Sequence, residues 1–255
     1  MNLKSKYRII ERPNISNKNS TTEKRFTQHL YGSKSFLIKY YAFLPLIHSI
    51  KYITFSENSR ILDIGCSDGP FLPTLNYYAK SIIANDILKD RVREAKNLVD
   101  FSLNKSKKVN LICSDGQHLP FKENNFDIIF CLEVLEHIAR PNHFLGELFR
   151  VLKENGKLVF TLPIETGLSL LIRNFIGKIA NFPRPKYKLK QYFQRVLLKK
   201  GGREYKGEVG HKNFDWREIK NNIKLYFKII KMKFIPINYL KDVNPIVLIK
   251  AVKVI

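Results

Sequence analysis

The order of apolar runs and helical stretches predicts an α/β fold: a mainly parallel sheet closed at its carboxyl end by an antiparallel hairpin. Three observations carry this. Strand-like runs near Ile61, Ile82, Val109, Ile128 and Leu158 alternate with helical stretches from about Phe71, Lys89 and Pro141, the pattern of βαβ units. The first strand runs into a turn with Gly65 and Gly69, in ILDIGCSDGPF (Ile61–Phe71). Two β-branched runs, Phe227–Ile235 and Ile246–Ile255, follow late in the chain with a turn around Asn238–Asn244 and no helix between them, so they pair antiparallel.

Each element has its local reason. Ile61, Leu62 and Ile64 make a short buried strand, with Asp63 near its carboxyl end. In an open α/β sheet, ligands sit just beyond such strand ends. A pyrophosphate-binding turn needs G-x-G-x-x-G. Here the glycines fall four apart, with Asp63 before them and Asp68 between them, an arrangement that repels phosphate and suits a cation. The second strand, SIIANDI (Ser81–Ile87), ends in Asp86, and an acidic residue roughly twenty positions after the turn suits a ribose diol. LICSDGQHLPF (Leu111–Phe121) and FDIIFCLEVLEH (Phe126–His137) hold the third and fourth strands. Pro141 is placed as the first residue of the next helix, after Arg140. RVLKENGKLVFTLP (Arg150–Pro163) holds the fifth strand. In NFDWREI (Asn213–Ile219), Asp215 and Glu218 have capping-box spacing and start the last helix.

The strand followed by D-x-G-x-x-x-G, with three further strand-end motifs in order, resembles the class I S-adenosylmethionine-dependent methyltransferases. Within that class the chain resembles the type 11 family from about Ser56 to Ile255. Glu154-Asn155-Gly156 stands where the family usually has Pro-Gly-Gly, a departure confined to a turn. The resemblance implies a Rossmann-like seven-stranded methyltransferase sheet with S-adenosyl-L-methionine as cofactor. It assigns the cofactor turn to Asp63, Gly65, Cys66, Ser67, Asp68 and Gly69, the ribose to Asp86 beside Ile87, and the adenine to Asp115, Gly116 and Gln117. Cys131, Leu132 and Glu133 line the methionine moiety on the same ground. The implied division is 1–55, a basic segment and helical cap, and 56–255, the methyltransferase domain with an insertion at about 164–210. Tyr31, Phe36, Tyr40, Tyr41 and Phe43 of the cap are expected to line the substrate or pack on the core.

Glu133, Glu136 and His137 form E-x-x-E-H, which resembles the ubiquinone-biosynthesis O-methyltransferases, whose matching residues are proposed to hold a divalent metal. Acidic residues in a helix's first turn also complement its dipole, and no metal is assigned. His137, and His211 in a Gly-His element that resembles G-H-x-x-F of many type 11 enzymes, are the candidate bases. A base is needed only where the nucleophile holds its proton at neutral pH. His29, His48, His118 and His143 have no partner pattern.

At 255 residues and 44% hydrophobic, the chain fits one α/β domain with additions. No signal peptide and no run near the roughly 20 apolar residues of a membrane span is visible, so a cytoplasmic protein is expected. Cys66, Cys113 and Cys131 have no metal or C-x-x-C spacing and read as structural residues of a reducing compartment. Lysine and arginine total 45 against 22 acidic residues, a net +23. Thr166–Arg203 contains ten basic residues and no carboxylate, with Leu168, Leu171, Ile172, Phe175, Ile176 and Ile179 at helical spacing. Such a segment reads either as a lid with its apolar face on the core, or as a peripheral contact with anionic membrane on its inner face. The expected acceptor is an O or N atom of a small-molecule, glycan or lipid-linked compound. RNA is the alternative favoured by charge, although the base-methylating Asn/Asp-Pro-Pro-aromatic motif is missing, so nucleic acid is not the expected substrate. A non-catalytic cofactor-binding or membrane-associated adaptor is a third reading.

Overall fold

The computed structural model describes residues 35–56, 58–179, 187–199, 214–241 and 243–254. Among them the chain runs α1 (Phe36–Lys51), β1 (Arg60–Ile64), α2 (Leu72–Tyr78), β2 (Ser81–Asp86), α3 (Lys89–Ser102), β3 (Val109–Cys113) and β4 (Phe126–Leu132). A short 3-10 turn (Leu135–His137) precedes α4 (Pro141–Val151) and β5 (Leu152–Pro163). Then come α5 (Gly167–Ile179), α6 (Leu189–Val196), α7 (Trp216–Tyr226), β6 (Lys228–Ile235) and β7 (Ile246–Val252).

One seven-stranded sheet has the order β3-β2-β1-β4-β5-β7-β6. β7 runs antiparallel between β5 and β6, while the other neighbouring pairs are parallel. The central strands β1, β2, β4 and β7 are largely buried because helices cover both faces, while the edge strands β3 and β6 are partly exposed. Period-two alternation sends Ile61 to one core and Leu62 and Ile64 to the other. α4 and α7 cover the first face with Leu145, Leu148, Ile219 and Ile223. The second face is covered by α1, α2 and α3 through Leu44, Ile47, Leu72, Leu75, Ala95 and Val99. Phe43 of α1 is buried there, with Tyr40 and Tyr41 packed at its border; Tyr31 lies outside the described residues.

From β1 the chain steps outward to β2 and β3, then returns to place β4 on the other side of β1. That reversal opens a crevice beyond the carboxyl ends of β1 and β4, the general ligand position of such sheets. In register, Ile64 stands beside Cys131 and Asp86 beside Cys113. The loops that follow therefore leave the sheet at one edge.

Several expectations need correction in detail. Asp215 caps α7 by accepting the Arg217 N–H at 2.9 Å and pairing with the Arg217 guanidinium at 2.7 Å, and the reciprocal bond of a capping box from Glu218 is not formed. Glu136 is enclosed in the 3-10 turn rather than exposed in a helix's first turn. Cys113 is exposed, unlike Cys66 and Cys131. Of the two readings left open for α5, the lid with its apolar face on the core is not seen: Leu168, Leu171, Phe175 and Ile179 are exposed, Ile172 and Ile176 are half-buried, and the helix buries Ser169, Leu170 and Arg173.

Candidate active site

The first turn is built by backbone geometry that only glycine tolerates well. Gly65 has φ +70° and Gly69 φ +79°, both left-handed. A Cβ on Gly65 would lie 2.4 Å from Val134 Cγ2, so the loop after β4 closes directly over the turn after β1. Ser67, also left-handed at φ 51°, donates its backbone N–H to Asp86 Oδ2 at 2.8 Å. Asp86 Oδ1 accepts the Leu88 N–H at 2.9 Å. Two main-chain donors thus fix that carboxylate at the end of β2 and leave lone pairs for a ligand.

The loop after β3 is held as firmly. Asn85 Nδ2 donates to Ser114 Oγ at 2.7 Å and to Ser114 O at 3.0 Å. Glu147 Oε2 accepts the Leu119 N–H at 2.9 Å, and Arg150 donates to the carbonyls of Leu119 and Phe121. Between these anchors Asp115 Oδ1 accepts the Gln117 N–H at 2.8 Å, a local turn. A Cβ on Gly116 would meet Phe144 Cε2 at 2.7 Å, so glycine is required there for packing.

Carboxylates accumulate around the crevice. Asp63 is buried, its Oδ2 has no hydrogen-bond partner, and burial, followed by the charge of Asp86, pushes its carboxyl up to about 8. Glu133 stands at the end of β4 with a left-handed φ of 56°, its N–H donated to Thr161 Oγ1 at 3.0 Å. Burial and then Glu136 raise Glu133 to about 8. Burial likewise raises Glu136 to about 8, and neither of its oxygens makes a hydrogen bond. Strained backbone and carboxyl groups held above their ordinary range are marks of a functional site.

Sequence reasoning missed the cation that answers this cluster. Arg173 of α5 is buried, with Nε 3.1 Å from Glu165 Oε1 and Nη1 3.9 Å from Glu133 Oε2. Nη1 also donates to Pro245 O at 3.1 Å, and the guanidinium lies 6.0 Å from the Tyr41 ring centroid. The available signal was one arginine on a helix face otherwise made of Ser169, Leu170 and Gly177. A metal does not fit the E-x-x-E-H residues. Among the described residues no three His, Cys, Asp or Glu side chains converge on a common point, and Arg173 already lies in the cluster. His137 is half-exposed, with Nε2 4.0 Å from Glu136 Oε1.

Of the expected cofactor residues, the structure gathers Asp63, Gly65, Ser67, Gly69, Asp86 and Glu133 about the crevice, and Asp115, Gly116 and Gln117 on the adjoining loop. Asp68 is buried in the same turn, and Ile87 is 61% exposed at its rim. The side chains of Cys66 and Cys131 belong to the two cores, and Leu132 packs beside the second. His211 lies outside the described residues.

The sheet order and the acidic crevice together define a class I S-adenosylmethionine-dependent methyltransferase fold. Residues 62–160 match the type 11 family model described as a methyltransferase domain, a similarity that points to S-adenosyl-L-methionine as the cofactor. The chain is 31% identical over 118 residues to the mitochondrial ubiquinone biosynthesis O-methyltransferase of Schizosaccharomyces pombe, covering 46% of this chain and 42% of that one. It resembles the structure of the PH0226 protein of Pyrococcus horikoshii at 17% identity and TM-score 0.64, over 92% of this chain and all of the other. A SAM dependent methyltransferase from Aquifex aeolicus superposes with TM-score 0.57 at 17% identity, over 83% and 90%. The chain spans 41%, 42% and 56% of the length of three curated relatives it matches.

The residues fit this cofactor. Asp63 Oδ2 and Glu133 Oε1 are buried acceptors without a hydrogen-bond partner, and a ligand bearing a sulfonium and an ammonium brings positive charge to them. Asp86 retains acceptor capacity for a diol.

Proposed function

We propose that the chain transfers a methyl group to an O or N atom of a small-molecule, glycan or lipid-linked acceptor. The observation that carries this is the set of three carboxylates, Asp63, Asp86 and Asp115, at or just beyond three adjacent strand ends around a left-handed glycine turn. When bound, the cofactor supplies an electrophilic sulfonium methyl. The chain's residues supply binding and orientation. Asp86 holds the ribose hydroxyls, and Gln117, with the main chain beside Asp115, faces the base. Asp63 and Glu133 place negative charge near the cationic end of the ligand. Val134 packs directly over Gly65 and holds the turn in place.

Positioning alone contributes on the order of 7–11 kcal/mol in favourable cases, so methyl transfer does not require a nucleophile–base–acid triad. For an acceptor that keeps its proton at neutral pH, His137 is the proposed proton acceptor on the rim, with Glu136 beside it. His211 is proposed as a second candidate from its sequence motif. Among acceptors, a lipid-linked one is favoured by the outward apolar face of α5, which also supports peripheral contact with an anionic membrane through residues 166–203.

The test is methyl transfer from labelled S-adenosylmethionine to separated lipid, glycan, small-molecule and RNA fractions. Label in a lipid, glycan or small-molecule fraction, lost in Asp86→Ala, is the expected result. Label in RNA alone would replace the acceptor class with the one that the net charge of +23 favours. Cofactor binding without transfer to any fraction would leave a binding protein.

A further inference from the structure

Helices α5 and α6 distribute their residues in the reverse of the ordinary amphipathic pattern, in which the apolar stripe faces the core. α5 turns Ser169, Leu170, Arg173 and Gly177 inward. Its inner face is fastened by polar contacts: Ser169 Oγ donates to Asn244 O at 2.5 Å, and Arg173 reaches Pro245 O and Glu165. Its outer face presents Leu168, Leu171, Phe175 and Ile179, with Phe175 66% exposed. α6 repeats the arrangement. Its buried residue is Arg195, which donates to Glu165 O at 3.1 Å and stacks 5.0 Å over the Tyr187 ring. Leu189, Phe193, Leu197 and Leu198 are exposed, Leu189 at 90%.

Single exposed apolar residues are ordinary, but eight large ones on two helices that pack together mark a surface made to meet something. The buried arginines exclude a simple rotation of either helix. Turning the apolar stripe inward would carry Arg173 and Arg195 away from the carbonyls and carboxylates that now pair with them, a costly exchange for buried charges.

Charge selects the occupant. Exposed Lys178, Lys188, Lys190 and Lys199 flank the stripe, and α5 and α6 contain no acidic residue. A second copy of the chain would bring the same positive charge to this face. A polyphosphate chain would leave Leu168, Ile179, Leu189 and Leu197 without an apolar environment. An anionic bilayer surface meets both requirements, with acyl boundary for the leucines and phenylalanines and headgroup phosphates for the lysines. No described helix is long and apolar enough to cross a membrane, so the contact lies in the plane of the interface.

We infer that the outward faces of α5 and α6 dock the protein on an anionic lipid surface. Because α5 follows β5 directly, docking tethers the sheet that carries the crevice to the bilayer. The membrane contact itself stands without the methyl-transfer reading; delivery of a lipid-linked acceptor to the crevice rests on it.

Flotation of the full chain with vesicles tests the inference. Phosphatidylcholine vesicles with and without phosphatidylglycerol serve as probes, at low and high salt. Wild type should float with the anionic vesicles and detach progressively as salt rises. Lys178→Gln/Lys188→Gln/Lys190→Gln should weaken that binding by about a hundredfold, each lysine near an anionic surface contributing about fivefold. Leu171→Ser/Phe175→Ser/Phe193→Ser should weaken it at least about tenfold while leaving cofactor affinity unchanged, since these side chains point away from the crevice. Failure of wild type to float at low salt would overturn the inference, as would either triple variant floating like wild type. A wild-type dimer dissociated by the serine variant would assign the face to a second copy instead. Vesicle binding without methyl transfer would sink the proposed function and leave the membrane contact standing.

Discussion

Replacing Gly65 by alanine puts the central turn under two separate strains. The residue sits at φ +70°, where an L side chain costs about 1–2 kcal/mol. The new Cβ would also stand 2.4 Å from Val134 Cγ2, well inside contact distance, and forcing such an overlap typically costs about 1–3 kcal/mol. Together the variant should lose about 2–5 kcal/mol. In a domain of this size that lowers the melting temperature by about 5–20 °C. Equilibrium urea unfolding of Gly65→Ala, Val134→Ala and the double variant separates the two parts. Val134→Ala frees the space for the new methyl, so the double variant should recover about 1–3 kcal/mol of the loss as coupling energy. The backbone part, about 1–2 kcal/mol, should persist. Gly65→Ala within about 0.5 kcal/mol of wild type would refute the close approach of the two loops. Complete rescue by Val134→Ala would refute the backbone strain.

Other perturbations address the site and its supports. Asp86→Ala removes a charged acceptor and should weaken cofactor binding by about 1.5–3 kcal/mol; equal affinities by titration calorimetry would remove Asp86 from the ribose site. Asp63, pushed up to about 8, keeps its proton in the free fold over a range where the unfolded chain has released it. Its contribution to stability is therefore complete below about pH 4, falls as pH rises toward about 8, and is constant above that. A cationic ligand favours the ionised form, so cofactor affinity should rise from about pH 6 to about pH 8 with proton release; a flat calorimetric profile would contradict the placement of Asp63 beside that charge. Arg173→Met leaves Glu165 and Glu133 without their buried partner and should cost about 3–5 kcal/mol in urea unfolding, a loss a merely superficial pair would not produce. Asp215→Ala, which removes the cap of α7, should cost about 1 kcal/mol, read from the same unfolding curves.

The amino-acid sequence by itself determined the order of strands and helices, the glycine turn after β1, the acidic residues at the strand ends and the start of α7. All of these depend on neighbours a few positions away: period-two apolar runs, glycines where φ is positive, a carboxylate one turn before an apolar stripe. The closing of Val134 over Gly65 needed the register of β4 beside β1, which joins residues almost seventy positions apart. The burial of Arg173 and Arg195 was likewise decided by tertiary structure. Periodicity in α5 revealed an apolar face but could not say which way it points, because direction is set by what the opposite surface offers. There Glu165 and the carbonyls of Asn244 and Pro245 offer partners for charge and hydroxyl, so the polar side turned inward and the leucines and phenylalanines were left outside. Glu136 followed the same logic. Its sequence position read as a helix start, but the chain after β4 tightens into a single 3-10 turn over the core, and a carboxyl group that local pattern placed in water is enclosed among other acids.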